Sequence, residues 1–396
     1  MLWVVCLLGA AYTGWWMYDT YVTQPFVFMD LDAYSLGVHA WWHGDDMYGP
    51  LPPTQYGPTV AFVYPPFAAV ILSPLVALPW PVMAAVMIGI SMTCLGAVIH
   101  LTARRVWPEG GRRGALLVTA VVLPLSTFTE PVYDTFLFGQ INLLLLLLVA
   151  FDCLVEKPKW PRGTLIGIAA AIKLTPAVFL VYFLFRKDFR ASVTVVVSAA
   201  VATAVGLAAN WSGSLAFWFG TGGPRTISAT GFIGNQSIAG AFARWQLPDA
   251  QQHQLWIYGC VAAGVIAVFA LLRAHRMADP VLAMSVTAAF GLLISPVSWG
   301  HHWVFMIPAF VAMVTVGMRR RHLGWLVGAA VVAAIAVYPP YLLTEEGGYL
   351  LTVPQQLAAN GFCVVGLVLL VAYAAPEITY RVRSLARVRT ANRPQP

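Results

Sequence analysis

Apolar runs long enough to cross a bilayer as helices, about 17–25 residues each, recur along the whole chain. They fall near 2–18, 82–103, 114–129, 141–155, 191–210, 254–273, 280–298, 303–318, 324–342 and 355–375. Two stretches break the pattern. Residues 163–185 read AAIKLTPAVF in their middle, with Lys173 shortly before Thr175-Pro176. Proline disfavours an uninterrupted helix there, so two short helices forming a hairpin are expected. The stretch YPPFAAVILSPLVALPW, residues 64–80, contains Pro65, Pro66, Pro74 and Pro79. It is expected to be an irregular interfacial or re-entrant piece. The first run, Leu2 to Met17, lacks a charged leading segment and a small-residue cleavage site. It reads as a transmembrane helix and not as a removed signal peptide. The pattern predicts an all-α polytopic membrane protein with roughly 10–12 transmembrane helices.

Composition sharpens this reading. The chain of 396 residues is 59% hydrophobic and only 10% charged, and its mean hydropathy is +0.74. A soluble domain carries about 25% charged residues. The sequence pI near 9.2 does not indicate nucleic acid, because no basic soluble domain with interleaved aromatics is present. Five cysteines, mostly inside apolar runs, give neither a disulfide framework nor a metal-ligand spacing.

The basic residues have a topological explanation. Arg104, Arg105, Arg112 and Arg113 form one group; Lys157, Lys159 and Arg162 a second; Arg186, Lys187 and Arg190 a third. Arg273 and Arg276, then Arg319 to Arg321, then Arg381, Arg383, Arg387, Arg389 and Arg393 complete the set. With the N-terminus inside, all of these fall on the cytoplasmic side, as the positive-inside rule requires. Arg225 and Arg244 fall outside, and Lys173 falls within the membrane. Asp19, Asp30, Asp32, Asp45, Asp46, Glu130, Asp134, Asp249, Glu345 and Glu346 are external. The expected organisation is one transmembrane domain over 1–380, with long external loops at about 19–81 and 211–253, and a basic cytoplasmic tail over 381–396.

Five constellations offer chemistry. In QPFVFMDLDAY, Asp30 and Asp32 share a face if the segment is extended and diverge if it is helical. Apolar neighbours would desolvate such a carboxylate and raise its basicity; solvated loop acids or helix caps are the plainer alternative. In SPVSWGHHWVF, His301 and His302 suit a proton shuttle or a phosphate contact, or form a satisfied interfacial pair. In EPVYDTFLFGQINLLLLLL, Gln140 and Asn142 suit either sugar hydroxyls or the capping of a helix. In TGFIGNQSIAGAFARW, Asn235 and Gln236 precede Arg244, a residue type suited to phosphate. Lys173, a cation inside the membrane, is functional by default, or else snorkels or pairs. No Gly-rich phosphate loop, HExxH or GxSxG motif is present, so a nucleotide-sugar donor is not expected.

Taken in order, FMDLDAY, YPPFAAVILSPLVALP, FGQINLLLLLL, AIKLTP, GNQSIAGAFAR and SPVSWGHHWVF resemble the polyprenol-phosphate-mannose-dependent α-(1,2)-mannosyltransferases of actinobacterial envelopes. These form glycosyltransferase family 87 of the GT-C superfamily. The resemblance runs from about residue 26 to 305. It implies a GT-C fold with its active site on the external, periplasmic face of the plasma membrane. The implied reaction moves mannose, with inversion, from polyprenyl-phosphate-mannose to a mannosylated lipid or lipoglycan acceptor. The family's V-D-L-x-V-Y pattern maps its essential acid onto Asp30, and its S-W-x-H-H-W motif maps onto His301 and His302, the three catalytic candidates. Asp32 falls at a variable position of that pattern. Asp32, Tyr64 at the head of the YPPF segment, Gln140, Asn142, Lys173, Asn235, Gln236 and Arg244 are the substrate-binding candidates. The YPPF segment and the hairpin would hold the prenyl tail. No cofactor or metal is implied, since the lipid-linked sugar is itself a substrate; the remaining partners are membrane lipids. Two other readings stay open: a GT-C arabinosyltransferase using a decaprenyl-phosphate pentose, and a transporter or flippase for a lipid-linked sugar. The absence of an internal repeat and the gathering of polar residues at the external mouth weigh against the transporter.

Overall fold

The computed structural model describes residues 2–23, 27–55, 57–220, 230–245, 247–338 and 352–391. Arg225, Glu345, Glu346, Arg393 and the residues Gln24, Pro25 and Phe26 lie outside the described set. Helices dominate throughout: α1 Leu2–Thr23, α2 Met29–His43, α3 Pro66–Val76, α4 Trp80–Val106, α5 Gly111–Ser126 and α6 Glu130–Phe138. There follow α7 Asn142–Leu154, α8 Thr164–Ile172, α9 Leu180–Phe185, α10 Phe189–Ala209, α11 Trp211–Phe219 and α12 Ile238–Ala243. The last are α13 Asp249–Arg276, α14 Pro280–Ile294, α15 Met306–Arg320, α16 Leu323–Val337, α17 Val353–Ala359 and α18 Gly361–Ala391. Among the described residues the only extended pairings are two isolated bridges, Pro53 with Thr59 and Asn235 with Trp299.

Among the described residues each apolar run of the sequence falls on helix, the run 355–375 being divided between α17 and α18. Trp80–Val106, Phe189–Ala209, Asp249–Arg276, Gly300–Arg320 and Gly361–Arg381 are each long and apolar enough to span a membrane, and Pro108–Ser126 with Glu130–Phe138 forms a further, broken candidate bent by 72°. Five further apolar helices are shorter, 10–17 residues, and α1, with 22 residues, is not among the candidate spans. The chain is an all-α polytopic membrane protein.

The hairpin expected over 163–185 is present. Helix α8 stops at Lys173, whose backbone is extended, and a 3-10 turn over Thr175–Phe179 leads into α9. Arg162, before α8, and Arg186, after α9, line one cavity together with Arg105. The segment therefore leaves one end of the bundle and returns to it, with Lys173 at its apex. The basic clusters gather at that same end: Arg319 pairs with Glu109, and Arg276 and Arg381 both pair with the buried Glu377.

The stretch 64–80 departs from expectation. It is an ordered helix, α3, packed on α2, α8 and α10. Most of the prolines are placed where a helix accepts them: Pro65 is the N-cap of α3, Pro66 opens it, and Pro79 precedes α4. A first-turn proline forfeits no hydrogen bond. Pro74 lies inside α3 and gives up one ladder bond two residues before the helix ends.

Two large apolar cores result, with a small third cluster around Met313 and Val332 among the described residues. The larger joins α4, α7, α14, α15 and α18 around residues such as Leu95, Leu146 and Leu293. The smaller wraps α2 and α3 around Tyr34, Phe62 and Leu72. Several of the polar side chains read from the sequence meet at the ends of α2, α6, α7 and α8.

Candidate active site

The site begins with a turn into α2. Phe28 adopts a left-handed backbone (φ 58), a strain of about 1–3 kcal/mol for a non-glycine residue. Its N–H donates to Leu137 O at 2.7 Å, which ties the start of α2 to the end of α6. Gly139 permits this approach: a Cβ there would lie 2.8 Å from the Leu31 Cβ. Asp30 and Asp32 then occupy the first turn of α2, where the helix dipole favours acids. Being helical, they diverge.

Asp30 meets Gln140, whose Nε2 donates to Oδ2 at 2.6 Å. On its other side Gln140 Oε1 accepts from the Tyr34 hydroxyl (3.1 Å) and the Tyr64 hydroxyl (3.3 Å), and the two phenols lie 3.0 Å apart. Burial pushes the Asp30 carboxyl up to about 6, against the opposing pull of the Gln140 hydrogen bond and the Lys173 charge. A carboxyl there is ionised at neutral pH yet basic enough to accept a proton.

Lys173 forms the second half. Its ammonium donates to Asn142 Oδ1 (3.0 Å) and His302 Nε2 (2.9 Å) and lies 5.3 Å from the centre of the Tyr64 ring. Because Lys173 donates, His302 accepts at Nε2 and carries its proton on Nδ1. Asn142 Nδ2 donates to the His301 carbonyl at 3.2 Å, so Asn142 joins the hairpin to the histidine turn; it does not cap α7. The imidazoles of His301 and His302 stand edge to face, 4.8 Å apart. His301 Nε2 and His302 Nδ1 are buried without a hydrogen-bond partner among the described residues. Thus Asp30, Tyr64, Gln140, Asn142, Lys173, His301 and His302, spread over more than 270 positions of sequence, form one connected cluster. It carries a base at one end and a cation with two imidazoles at the other.

Sequence reasoning missed three members. Tyr34 lies one helical turn beyond Asp30, a spacing that becomes visible once the segment is read as a helix. Glu130 and Asp134, also one turn apart on α6, hydrogen-bond each other, and Asp134 feels the Asp30 charge. Glu130 packs against Gly300, where a Cβ would meet its Oε1 at 1.8 Å. Both acids had been placed outside the membrane by their position but assigned no role.

Four candidates are not brought to the cluster. The Asp32 carboxylate accepts from Trp80 Nε1 (2.8 Å) and the Gln55 amide (3.0 Å), so it staples α2 to α4 and to the loop before α3. Asp32→Asn is expected to cost about 1–2 kcal/mol of stability while the folded fraction keeps turnover within severalfold; melting temperature and rate on one preparation check this. Asn235 donates to Thr230 O and Pro296 O and accepts from the Ser298 amide. Gln236 donates to Ile233 O and Ala359 O and accepts from the Phe362 amide. Asn235 thereby satisfies the irregular backbone of the turn that delivers His301, and Gln236 that of the junction between α17 and α18. Arg244 is 3% exposed; its guanidinium donates to Phe232 O (2.9 Å), Asn235 O (3.0 Å) and the Asn360 side chain. A guanidinium so occupied clamps the chain and offers little to a phosphate. Arg244→Met, leaving three acceptors unpaired in a dry site, is expected to cost at least about 3 kcal/mol, read as a lowered melting temperature and poor yield.

The described arrangement can deprotonate a hydroxyl at Asp30 and receive a phosphate near Lys173 and the histidines. Comparison with known proteins accords with that chemistry. A model of glycosyltransferase family 87 matches residues 62–296. The chain is 36% identical to the polyprenol-phosphate-mannose-dependent α-(1-2)-phosphatidylinositol mannoside mannosyltransferase of Mycolicibacterium smegmatis, over 87% of this chain and 81% of that one. It is also 36% identical to the protein of the same name from Mycobacterium tuberculosis, over 81% of this chain and 77% of that one. It is 33% identical to a phosphatidylinositol pentamannoside mannosyltransferase from Mycobacterium tuberculosis, over 90% and 83% of the two chains. No solved structure matches the chain.

Proposed function

Since the chain belongs to glycosyltransferase family 87, we propose that it transfers mannose from polyprenyl-phosphate-mannose to a mannosylated glycolipid or lipoglycan, forming an α-(1,2) linkage. The observation that carries this reading is the single cluster in which a basic carboxylate, Asp30, faces a cation–imidazole group, Lys173 with His302 and His301. The names of the relatives supply the donor and the linkage.

In this mechanism the acceptor 2-hydroxyl lies against Asp30. A β-linked mannosyl phospholipid that yields an α product requires one inverting displacement, with charge building on the ring as in inverting glycosidases. Asp30 takes the hydroxyl proton as the oxygen bonds to the anomeric carbon. The bond from that carbon to the phosphate oxygen breaks, and polyprenyl phosphate departs with the electron pair. A phosphate needs positive charge and donors at this moment and no strong acid. Lys173 supplies the charge, and the Nδ1–H of His302 supplies a donor. The gathering of basic clusters at the end away from Lys173 supports an external active site, by the positive-inside rule.

The test uses purified protein with polyprenyl-phosphate-mannose and a mixed pool of mannosylated lipids, read by mass spectrometry. A product heavier by one mannose is expected, and its mass names the acceptor. Transfer from decaprenyl-phosphate-arabinose alone would move the assignment to an arabinosyltransferase. Movement of intact donor across a vesicle, with no product, would move it to a flippase.

A further inference from the structure

A second polar site lies about 14 Å from Lys173 along the nine residues of α8, at 1.5 Å per residue. It is a cavity of 290 Å³, at the small end of ligand cavities, which run from about 300 Å³ upward. Its walls come from the ends of separate helices: Arg105 of α4, Cys153 of α7, Glu156 and Arg162 of the loop after α7, Arg186 and Asp188 between α9 and α10, and the turn at Ala278 and Pro280. Three guanidinium groups face two carboxylates there.

The pieces of this cavity are held by different means. Arg162 donates to the carbonyls of Asp152, Val155 and Glu156, and Arg105 Nε donates to Leu154 O. Both are thereby pinned to the unsatisfied C-terminal carbonyls of α7. The Asp188 carboxylate caps α10 by accepting from the Ala191 amide. Arg186 is different. Its guanidinium stacks on the Tyr182 ring, 5.4 Å from the centroid, and makes no ion pair among the described residues. The remaining carboxylate, Glu156, pairs with Arg105. Its side chain is 76% exposed, so it is a solvated, flexible anion resting on a fixed guanidinium, and its pairing is weak.

We propose that this cavity binds a phosphate group, with Arg105 and Arg186 as its charged ligands and Glu156 as the tethered anion it displaces. Of the three guanidinium groups that line the cavity, Arg162 spends its terminal N–H groups on carbonyls, while Arg105, held at Nε by Leu154 O, and Arg186, held against the Tyr182 ring, keep N–H groups for a ligand; two such forks suit phosphate better than a single carboxylate. The positive-inside rule accounts for cations at this end of the bundle. It does not account for their convergence on a shared cavity. The position at helix ends favours the headgroup of an anionic membrane lipid as the phosphate source, since basic pockets between membrane helices recognise such headgroups. This inference is independent of the sugar donor and of the reaction.

The experiment measures thermal unfolding of delipidated full-length protein in neutral detergent. Dioleoyl phosphatidic acid, glycerol 2-phosphate and, as control, dioleoyl phosphatidylcholine are titrated in turn. The variants are Arg186→Gln and Glu156→Gln, both on surface segments and outside the catalytic cluster. Phosphatidic acid is expected to stabilise where phosphatidylcholine does not. Arg186→Gln is expected to weaken that apparent affinity about tenfold, the worth of one charged hydrogen bond. Glu156→Gln is expected to strengthen it, because the competing carboxylate is gone. This opposite sign separates ligand loss from general damage to the fold. Equal stabilisation by glycerol 2-phosphate would keep the phosphate site and assign its source to solution. Equal response to phosphatidic acid and phosphatidylcholine with none to glycerol 2-phosphate, or an unchanged response in Arg186→Gln, would overturn the proposal. So would a weaker response in Glu156→Gln.

Discussion

Asp30→Asn is expected to lower mannose transfer at least a hundredfold, about the contribution of a general base, while the protein still folds and binds donor. The amide is nearly isosteric and its oxygen can still accept from Gln140 Nε2, so the hydrogen bond at 2.6 Å has a substitute. What disappears is proton affinity. The pH profile gives a second handle. Burial raises the Asp30 carboxyl to about 6, so the base is protonated, and transfer is lost, as pH falls through that value. The native rate is expected to rise through pH 6 and level off near neutrality. A variant in which residual transfer keeps the same acidic limb would show that another group titrates, and substantial turnover in Asp30→Asn would remove the base assignment altogether.

Lys173→Met is the second large effect, about a hundred- to a thousandfold in kcat/KM, as for removal of a principal donor to a developing oxyanion. Methionine keeps the length and apolar stem of the side chain but removes the contacts to Asn142 and His302. If Lys173 binds the phosphate, the affinity for polyprenyl phosphate alone falls together with the rate. A purely structural lysine would give a lower melting temperature with undiminished affinity for polyprenyl phosphate among the folded molecules. The two outcomes are separable on the same sample.

Much of this site was legible because charge in an apolar chain is costly and stands out. Lys173 was visible for that reason, as was the His301–His302 pair, and the proline after Lys173 marked the hairpin apex. Asp30 was legible through the resemblance, which also set it apart from Asp32, and the helical segment then shows the two carboxylates diverging. The candidates that lie outside the cluster have a common physical source. Asn235, Gln236 and Arg244 are polar residues in apolar surroundings, and they looked like ligands for that reason. Yet irregular backbone buried in a membrane protein must also be satisfied, and that is the work these three perform around Ser298 and Asn360. A sequence does not distinguish a side chain that serves a ligand from one that serves the chain's own carbonyls. Glu130 and Asp134 escaped notice for the opposite reason, because external acids are ordinary until a fold turns them inward. The packed helix at 66–76 was obscured by prolines whose positions, not number, carried the information.

The amide of Gln140 has a consequence for the direction of proton flow. Its carbonyl is claimed by two phenols, so its N–H must point at Asp30 Oδ2. That oxygen already holds a donor, so in the proposed mechanism Oδ1, the other edge of the carboxylate, is the better placed proton acceptor. Through Gln140, two tyrosines thus bias which edge of Asp30 is open to a proton in the proposed mechanism. A Gln140→Glu exchange would scramble that choice, since a carboxyl in the same place can present either an oxygen or a proton to Asp30.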